Sequence, residues 1–484
     1  MSAKNRDRNR NKNGAASQRS AVWRGYALFA AAAVAVFLLG LLAASIFQRR
    51  AESMALAPRE PIAPPESDSS HWAVNFPREY DSYRLALDSA TKTKYGGAEP
   101  RDYLAETPAN VILFAGYAFA KEYRQARGHL HAIEDVTKSE RVGPTTAATC
   151  WTCKSPDVVR LMADLGPADF YSQTFDSLKS EITHPIGCLD CHDPKTMQLR
   201  VARPTLGEAL KRQNFDLAKA SHQEMRSLVC AQCHAEYYFK GKGNYLTFPW
   251  DNGTISQGIS PEAMAKYYDK NNFADWTHAV SGAPMVKMQH PDYELYKSGI
   301  HAYRGVACAD CHMPYRSEGG AKFTDHHVQS PLLNVANSCA VCHRWSEQEI
   351  RARVESIQDK VREGRDRAER VVAMAHFDVA AAQQAGAKDD ELTEVRRLVR
   401  EAQLRWDYVA ASNSMGFHSP TESMRILGAA VDTAGQCRVE AARILAKHGV
   451  TGPVAYPDFS TKAKAQALAK AFADGKGPNL LPAG

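Results

Sequence analysis

Residues 150–154 read Cys-Trp-Thr-Cys-Lys, and four later segments repeat this cysteine spacing with histidine in the fifth place. They are Cys188-Leu189-Asp190-Cys191-His192, Cys230-Ala231-Gln232-Cys233-His234, Cys308-Ala309-Asp310-Cys311-His312 and Cys339-Ala340-Val341-Cys342-His343. Of the 11 cysteines, only Cys437 stands outside these pairs. It lies in a helix-like stretch, where we expect a buried apolar side chain.

Cys-x-x-Cys-His is the attachment pattern of c-type haem. Two thiols one helical turn apart can each form a thioether to a haem vinyl carbon, and the next residue presents its side chain to the iron. Zinc sites and thiol redox pairs share the cysteine spacing, but neither explains a histidine directly after four pairs. We therefore predict five covalently bound haem c groups. The attaching residues are Cys150, Cys153, Cys188, Cys191, Cys230, Cys233, Cys308, Cys311, Cys339 and Cys342, and the iron ligands are Lys154, His192, His234, His312 and His343.

The rest of the chain predicts a mainly α fold, a multihaem cytochrome c fold with a haem-filled core and long C-terminal helices. The intervals between the pairs are unequal, which excludes a tandem array of one small module. Apolar residues recur every three to four residues from Ile350 to Val372 and from Val395 to Val409. This periodicity predicts two amphipathic helices within residues 345–412, the first interrupted at Gly364 and the two joined by a turn over residues 383–390.

The N-terminus predicts export and membrane attachment. Residues 1–25 are strongly basic, and residues 26–47 form an uncharged apolar run. A helix of that length spans about 33 Å, enough to cross a bilayer, and the basic flank predicts a cytoplasmic N-terminus. A cleaved signal peptide is the alternative, but the run is long for one and ends in Ile46-Phe47-Gln48-Arg49-Arg50, a poor cleavage site. We expect an uncleaved anchor, a flexible tether over residues 48–74, and a catalytic domain over residues 75–484 on the periplasmic side of a bacterial inner membrane.

Charge argues against a nucleic-acid partner. The chain has 60 basic and 54 acidic residues, a net charge of +6, and the two signs are mixed along its length. No basic stripe with interleaved aromatic residues appears.

Lys154 marks the site where chemistry is expected. A lysine amine ligates iron only when neutral, although free lysine has a pKa of about 10.4, so the metal must hold it deprotonated. An exception to the local pattern at one site in five is typical of a functional site. The alternative is that Lys154 merely replaces histidine in a closed electron-transfer haem.

With Cys-Trp-Thr-Cys-Lys followed by four Cys-x-x-Cys-His segments, residues 75–465 resemble the ammonia-forming pentahaem cytochrome c nitrite reductases. Residues 233–239, Cys-His-Ala-Glu-Tyr-Tyr-Phe, and residues 287–291, Lys-Met-Gln-His-Pro, match segments of that family. The resemblance implies six-electron reduction of nitrite to ammonia at the Lys154 haem.

The resemblance also implies further site residues. Distal iron ligands would be His326 for the second haem, His129 for the third, His418 for the fourth and His301 for the fifth. Arg141, Tyr237 and His290 would form the catalytic pocket of the first haem. Calcium would be bound by the side chains of Glu236 and Gln289 and by the backbone oxygens of Tyr237 and Lys287.

The family pattern implies a homodimer formed through the helices of residues 345–412. It also implies an electron donor that is either a membrane quinol dehydrogenase or a multihaem cytochrome, with the N-terminal helix holding the chain at the membrane. Two rival functions stay open from the residues alone. One is a non-catalytic electron conduit with five closed haems, and the other is a reductase acting mainly on hydroxylamine or sulfite.

Overall fold

The structure, a computed structural model, describes residues 4–56, 60–251 and 259–482. The chain divides into two units, Met1–Pro61 and Ile62–Gly484. The first unit is helix α1, Lys4–Leu56. Its Val22–Arg50 part is long and apolar enough to cross a membrane, a property that signal sequences share. The predicted apolar span of residues 26–47 lies inside this helix.

The second unit is mostly helical. Its helices are α2 Ser69–Trp72, α3 Pro77–Arg84, α4 Tyr103–Glu106, α5 Ala109–Leu113, α6 Ala132–Thr137, α7 Asp157–Leu165, α8 Pro167–Ser172, α9 Cys188–Cys191, α10 Pro204–Arg212, α11 His222–Ala231, α12 Pro261–Lys270, α13 Asp292–Lys297, α14 Ile300–Tyr303, α15 Cys308–His312, α16 Glu347–Gln384, α17 Asp389–Ala411, α18 Pro420–Lys447 and α19 Lys462–Ala473. The predicted mainly α fold is confirmed.

Strands in the described residues form three short antiparallel hairpins. They pair β1 Tyr238–Lys240 with β2 Tyr245–Thr247, β3 Trp276–Thr277 with β4 Pro284–Met285, and β5 Tyr315–Glu318 with β6 Ala321–Thr324. The first hairpin follows the third cysteine pair directly, and the third hairpin lies between the fourth pair and His326. These hairpins therefore position loops that carry predicted site residues.

The long helices α16, α17 and α18 pack on one another and form one side of the main core. Helix α16 begins at a capping box, in which Ser346 Oγ accepts the Glu349 N–H and the Glu349 carboxylate accepts the Ser346 N–H at 2.8 Å. The predicted turn is confirmed, because α16 ends at Gln384 and α17 begins at Asp389.

The predicted interruption at Gly364 is wrong, since α16 runs through it without a break. A Cβ at Gly364 would lie 3.0 Å from the sulfur and methyl carbon of Met424 on α18. The glycine therefore allows two helices to approach closely inside a regular helix.

The predicted flexible tether over residues 48–74 needs correction in its second half. Trp72 is 1% exposed and packs with Ile62, Phe76 and Leu189, and its indole N–H donates to the Glu66 carbonyl at 3.1 Å. The compact unit thus begins at residue 62 instead of 75, because two apolar side chains in a Pro- and Ser-rich segment bind beside the second cysteine pair. Residues 57–59 lie outside the described part.

Candidate active site

The five cysteine pairs lie side by side in the second unit. None of the 11 cysteines, all of which are in the described residues, forms a disulfide. Yet Cys153 of the first pair contacts Cys233 of the third, and Cys230 of the third contacts Cys308 of the fourth. The remaining neighbours are Cys191 beside Cys230, and Cys311 beside Cys339 and Cys342. The pairs therefore run first–third–fourth–fifth, with the second beside the third.

Buried polar contacts fix how neighbouring pairs meet. The Asp190 carboxylate accepts the Gly187 N–H at 2.8 Å and so caps the single turn of α9. Arg203, 1% exposed, donates to that carboxylate at 2.5 Å and to the Thr152 carbonyl of the first motif at 2.7 Å. The middle residues of the motifs are therefore structural, and Arg203 ties the second pair to the first.

Three histidine pairs have a spacing that suits an iron between them. The ring centroids are 6.2 Å apart for His192 and His326, 6.2 Å for His312 and His418, and 6.3 Å for His301 and His343. Two imidazoles that bind one metal from opposite sides, with bonds of about 2 Å, have centroids about 6 Å apart. The residues therefore fit bis-histidine haems at the second, fourth and fifth sites.

The hydrogen bonds of these rings leave the other nitrogen free for iron. Nδ1 of His192 donates to the Met197 carbonyl at 2.8 Å, and Nδ1 of His312 donates to the Gln329 carbonyl at 2.9 Å. On the distal side, His326 Nδ1 lies 2.7 Å from the Thr324 carbonyl. An acceptor at Nδ1 fixes the tautomer and directs Nε2 to the metal.

His129, the predicted distal ligand of the third haem, lies next to His234 and Lys154. Burial lowers the pKa of His129 to about 4, with smaller contributions from those two neighbours. A neutral imidazole is the form that binds a metal. Its position therefore fits the predicted role.

Arg141, Tyr237 and His290 converge on the segment Cys150–Lys154 from separate parts of the chain. The Arg141 guanidinium lies beside Cys150 and over the Phe119 ring, 4.3 Å from its centroid. Tyr237 is close to both thiols of the first pair, and burial raises the pKa of its phenol well above the usual range. His290 lies near Lys154, and burial lowers the pKa of its imidazole.

The His290 ring is held close to the third motif by a shared carboxylate. Asp292 Oδ2 lies 3.0 Å from His234 Nδ1 and 3.6 Å from His290 Nδ1, and the two rings meet edge to face with centroids 5.4 Å apart. The three groups are close enough together to hold a metal ion. Both Nδ1 atoms face the same carboxylate oxygen. This geometry suits one carboxylate shared by two imidazoles better than three ligands around a metal ion.

The predicted calcium ligands lie together in one buried site. The Gln289 N–H donates to the Glu236 carboxylate at 2.5 Å, and the Gln289 side-chain amide lies 3.3 Å from the Lys287 carbonyl. Burial raises the pKa of Glu236 well above its usual range, opposed by the Gln289 N–H. A fully buried carboxylate beside carbonyl oxygens fits a hard cation such as calcium.

The side chain of Lys287 is buried in the core. Its ammonium, 1% exposed, pairs with the Asp407 carboxylate at 2.8 Å. Three aromatic rings surround it, with centroids 5.1 Å away for Phe114, 4.9 Å for Phe119 and 5.6 Å for Tyr123. Phe119 lies against Arg141 as well, so one ring links the arginine to the segment of the calcium ligands.

Sequence reasoning missed Asp292, Arg203 and Asp407. The only available signal for Asp292 was its place two residues after His290. Arg203 directly precedes α10 and Asp407 lies within α17, and neither stands in a recognisable motif. Their partners come from distant parts of the chain, so no local pattern marks them. The Cys437 prediction is confirmed, because that thiol is fully buried and lies 3.3 Å from the Val395 carbonyl.

Known proteins resemble this chain over most of its length. The sequence model of the cytochrome c552 family matches residues 68–476. A cytochrome c-552 from Parabacteroides distasonis is 50% identical over 453 residues, covering 92% of this chain and 91% of that protein. One from Porphyromonas gingivalis is 48% identical over 454 residues, covering 92% and 90%.

A solved structure is similar as well. The catalytic subunit of cytochrome c nitrite reductase from Desulfovibrio desulfuricans is 34% identical, with a TM-score of 0.75, covering 79% of this chain and 88% of that chain. That protein is described as having two calcium sites. The similarity confirms the predicted multihaem cytochrome c fold.

Proposed function

This chain belongs to the cytochrome c552 family, and from that premise we propose that it reduces nitrite to ammonia at a Lys154-bound haem c. One observation carries the proposal. Arg141, Tyr237 and His290 meet around the one cysteine pair that is followed by lysine. A guanidinium, a phenol and an imidazole together supply a fixed positive charge and proton donors, which the reduction of a small anion needs.

The reaction consumes protons as well as electrons. Nitrite takes up six electrons and eight protons to give ammonium and two water molecules. A haem attached at Cys150 and Cys153 supplies electrons and an iron coordination position for the substrate. The protein must supply the protons and hold the anion while they are transferred.

Each pocket residue has a role that follows from its surroundings. The contact of Arg141 with Phe119 fixes the plane of its guanidinium, so that its N–H groups can orient the nitrite oxygens. Tyr237 remains a protonated donor because burial raises the pKa of its phenol. His290 lies near Lys154, where its imidazole would act as a general acid.

Four further haems, each held by two of the predicted histidine ligands, would carry electrons to this pocket. The adjacency of the cysteine pairs favours a line of four sites with the second beside the third. Calcium bound at Glu236 would offset the charge of that buried carboxylate and fix the Gln289–His290 backbone beside the pocket.

The setting of the enzyme completes the proposal. We infer a position on the periplasmic side of the inner membrane, held by the apolar part of α1. The enzyme would be a homodimer formed through the long helices of residues 345–412. A quinol dehydrogenase or a multihaem cytochrome would donate the electrons.

The deciding experiment is electron paramagnetic resonance of the purified protein before and after nitrite is added, followed by an ammonium assay. We expect one high-spin haem in five whose signal changes with nitrite, and about six electrons consumed per ammonium formed. Five low-spin haems that ignore nitrite would instead identify an electron conduit. Rates with hydroxylamine and sulfite, measured in parallel, would show which substrate is preferred.

A further inference from the structure

A single buried carboxylate joins the catalytic pocket to the third haem motif. Asp292 is 6% exposed, and its Oδ2 lies 3.0 Å from Nδ1 of His234 and 3.6 Å from Nδ1 of His290. Asn413 completes its surroundings, because its backbone N–H donates to Oδ1 at 2.6 Å and its side-chain amide donates to Oδ2 at 2.8 Å. The carboxylate is thus surrounded by donors and has a fixed orientation.

The backbone holds Asp292 in place independently of its side chain. Asp292 is the first residue of α13, and the next residue, Tyr293, donates its backbone N–H to the carbonyl of His234 at 2.9 Å. His290 lies two residues before Asp292 on the same segment. The segment that carries the catalytic imidazole is therefore attached to the third motif at two points.

The partner of His234 differs in kind from those of the other motif histidines whose Nδ1 contacts are described. His192 and His312 meet the neutral backbone carbonyls of Met197 and Gln329. His234 meets a carboxylate. A carboxylate acceptor makes the imidazole a stronger electron donor to its metal than a carbonyl does. The oxidised state of the third haem should therefore be stabilised relative to the second and fourth.

Asp292 also reaches the segment that leads to the fourth haem. Asn413, which it holds, is followed by Ser414 and Met415 at positive φ values of 78° and 48°. Ser414 Oγ lies 3.3 Å from the backbone N–H of His418, the distal partner of His312. Two consecutive left-handed residues are strained, so this turn needs an anchor, and the carboxylate provides it.

We propose that Asp292 is a positioning residue with two simultaneous effects: its fixed negative charge lowers the reduction potential of the third haem, and the same charge, which faces Nδ1 of His290 at 3.6 Å without a hydrogen bond, orients that imidazole in the catalytic pocket. The inference deepens the proposed function and rests on it, because it presumes haem at the third motif and catalysis at Lys154. The third cysteine pair contacts the first, so electrons would pass from the third haem to the pocket. The Asp292 carboxylate would therefore influence both the potential at which these electrons are delivered and the orientation of His290.

The test is Asp292→Asn in the full-length holoprotein, which removes the charge at nearly constant volume. The potentials of the individual haems are measured by electron paramagnetic resonance during a redox titration, and kcat and KM for nitrite are measured separately. We expect the third haem to become easier to reduce while the second and fourth keep their potentials. We expect kcat to fall about 10- to 100-fold, as for other outer-sphere partners of metal ligands, with a smaller change in KM.

Two further variants separate charge from geometry. Asn413→Ala removes the side-chain donor to Oδ2 but keeps the backbone N–H donor to Oδ1 and the carboxylate itself, so the third haem should keep the wild-type potential. Asp292→Glu keeps the charge but moves the oxygen by one methylene, so the potential should stay near that of wild type while kcat falls. If Asp292→Asn does not yield a five-haem protein, Asp292→Glu is the test. A kcat of Asp292→Glu equal to that of wild type would overturn the proposal.

An unchanged potential of the third haem in a five-haem Asp292→Asn protein would also overturn the inference. The potential does not depend on turnover, so the two proposals can fail separately. A wild-type protein without nitrite reduction would contradict the proposed function while the shift in potential could still be measured. A normal wild-type rate with no shift in the variant would contradict the inference alone.

Discussion

At the scale of single residues, Lys154 differs from the motif histidines in the side chains that surround it. The second, fourth and fifth motif histidines each have a histidine partner at a centroid distance of 6.2–6.3 Å. Lys154 has instead His290 and His129 as neighbours, both with pKa values lowered by burial. The lysine therefore belongs to a pocket of polar donors instead of a second closed pair.

Replacing this lysine tests its role directly. Lys154→His should keep five attached haems, because both thiols remain, but should lower kcat for nitrite about 10- to 100-fold. The physical reason is that histidine would offer iron an aromatic ring nitrogen in place of an amine, and that its planar ring differs in shape from the lysine side chain. Haem content is measured by absorbance and activity by nitrite-dependent oxidation of a reduced dye.

The matched control is Lys195→His, an exposed lysine near the second motif, which should retain wild-type rates. A Lys154→His protein with five haems and an unchanged kcat would show that the lysine is a replaceable ligand.

Lys287 offers a stability test at the same scale. Lys287→Met leaves the Asp407 carboxylate buried and without its cation, although the Met288 N–H still donates to it at 2.9 Å. Loss of one partner of a buried pair costs about 3–5 kcal/mol of unfolding free energy. Urea unfolding followed by circular dichroism measures the loss.

The double variant Lys287→Met, Asp407→Asn removes both charges and should recover a large part of that stability. If the single variant unfolds at the wild-type urea concentration, the pair contributes no stability and its burial needs another explanation.

At the scale of elements, a stacked pair of histidines joins α16 and α17 to α5. His278 and His376 have ring centroids 3.7 Å apart, and both are fully buried. The His278 Nε2–H donates to the Ile112 carbonyl at 2.9 Å, and the His376 Nε2–H donates to the Gln403 side-chain oxygen at 2.7 Å. The Nδ1 atom of each ring accepts a hydrogen bond, from the Val280 N–H in His278 and from the Ser281 hydroxyl in His376. Both rings are therefore neutral in the folded protein.

This pair predicts acid sensitivity. Burial lowers the pKa of His376 to about 4 and that of His278 well below its ordinary value. Unfolded histidine titrates at a pKa of about 6.5, so below that pH the unfolded state binds more protons and stability falls as pH falls. The slope is about 1.4 kcal/mol per pH unit for each ring, until the folded pKa is reached.

The measurement is urea unfolding at pH 7.5, 6.5 and 5.5, compared with a His278→Asn, His376→Gln variant. Other histidines contribute to both proteins, so the difference in slope isolates the pair. The variant should be less stable at pH 7.5 but lose less stability on acidification, and parallel pH curves would contradict the prediction.

At the scale of the whole molecule, the chain separates into a helical unit, which contains the apolar segment Val22–Arg50, and a compact unit that begins at Ile62. The second unit contains all five cysteine pairs and every predicted site residue. The full chain should sediment with membranes, because the uncharged apolar run of residues 26–47 is long enough to span a bilayer as a helix.

A variant that begins at Ile62 behind a cleavable export signal should be soluble and keep five haems and the wild-type kcat/KM. Fractionation and mass spectrometry of the N-terminus are the measurements. A full-length protein recovered as soluble material with its N-terminus near residue 48 would show that the helix is a cleaved signal.

The sequence by itself determined the five cysteine pairs, the lysine that follows the first pair, the long helices and the apolar N-terminal helix, because each depends on the spacing of residues within one local segment. A cysteine spacing, a helical period or an apolar run is complete in a local segment. Residues 62–74 were predicted wrongly from local pattern. Ile62 and Trp72 stand in a Pro-rich stretch without helical or strand periodicity, and nothing in that stretch indicates that they pack on Leu189 of the second motif.

Only the tertiary structure decided which distant groups meet. It placed Asp292 between His234 and His290, and it joined Lys287 to Asp407 across about 120 residues. Their partners are brought together by packing of the whole chain, and a single sequence carries no distance between them. The charge and burial that set each group's chemistry therefore exist only in the folded protein.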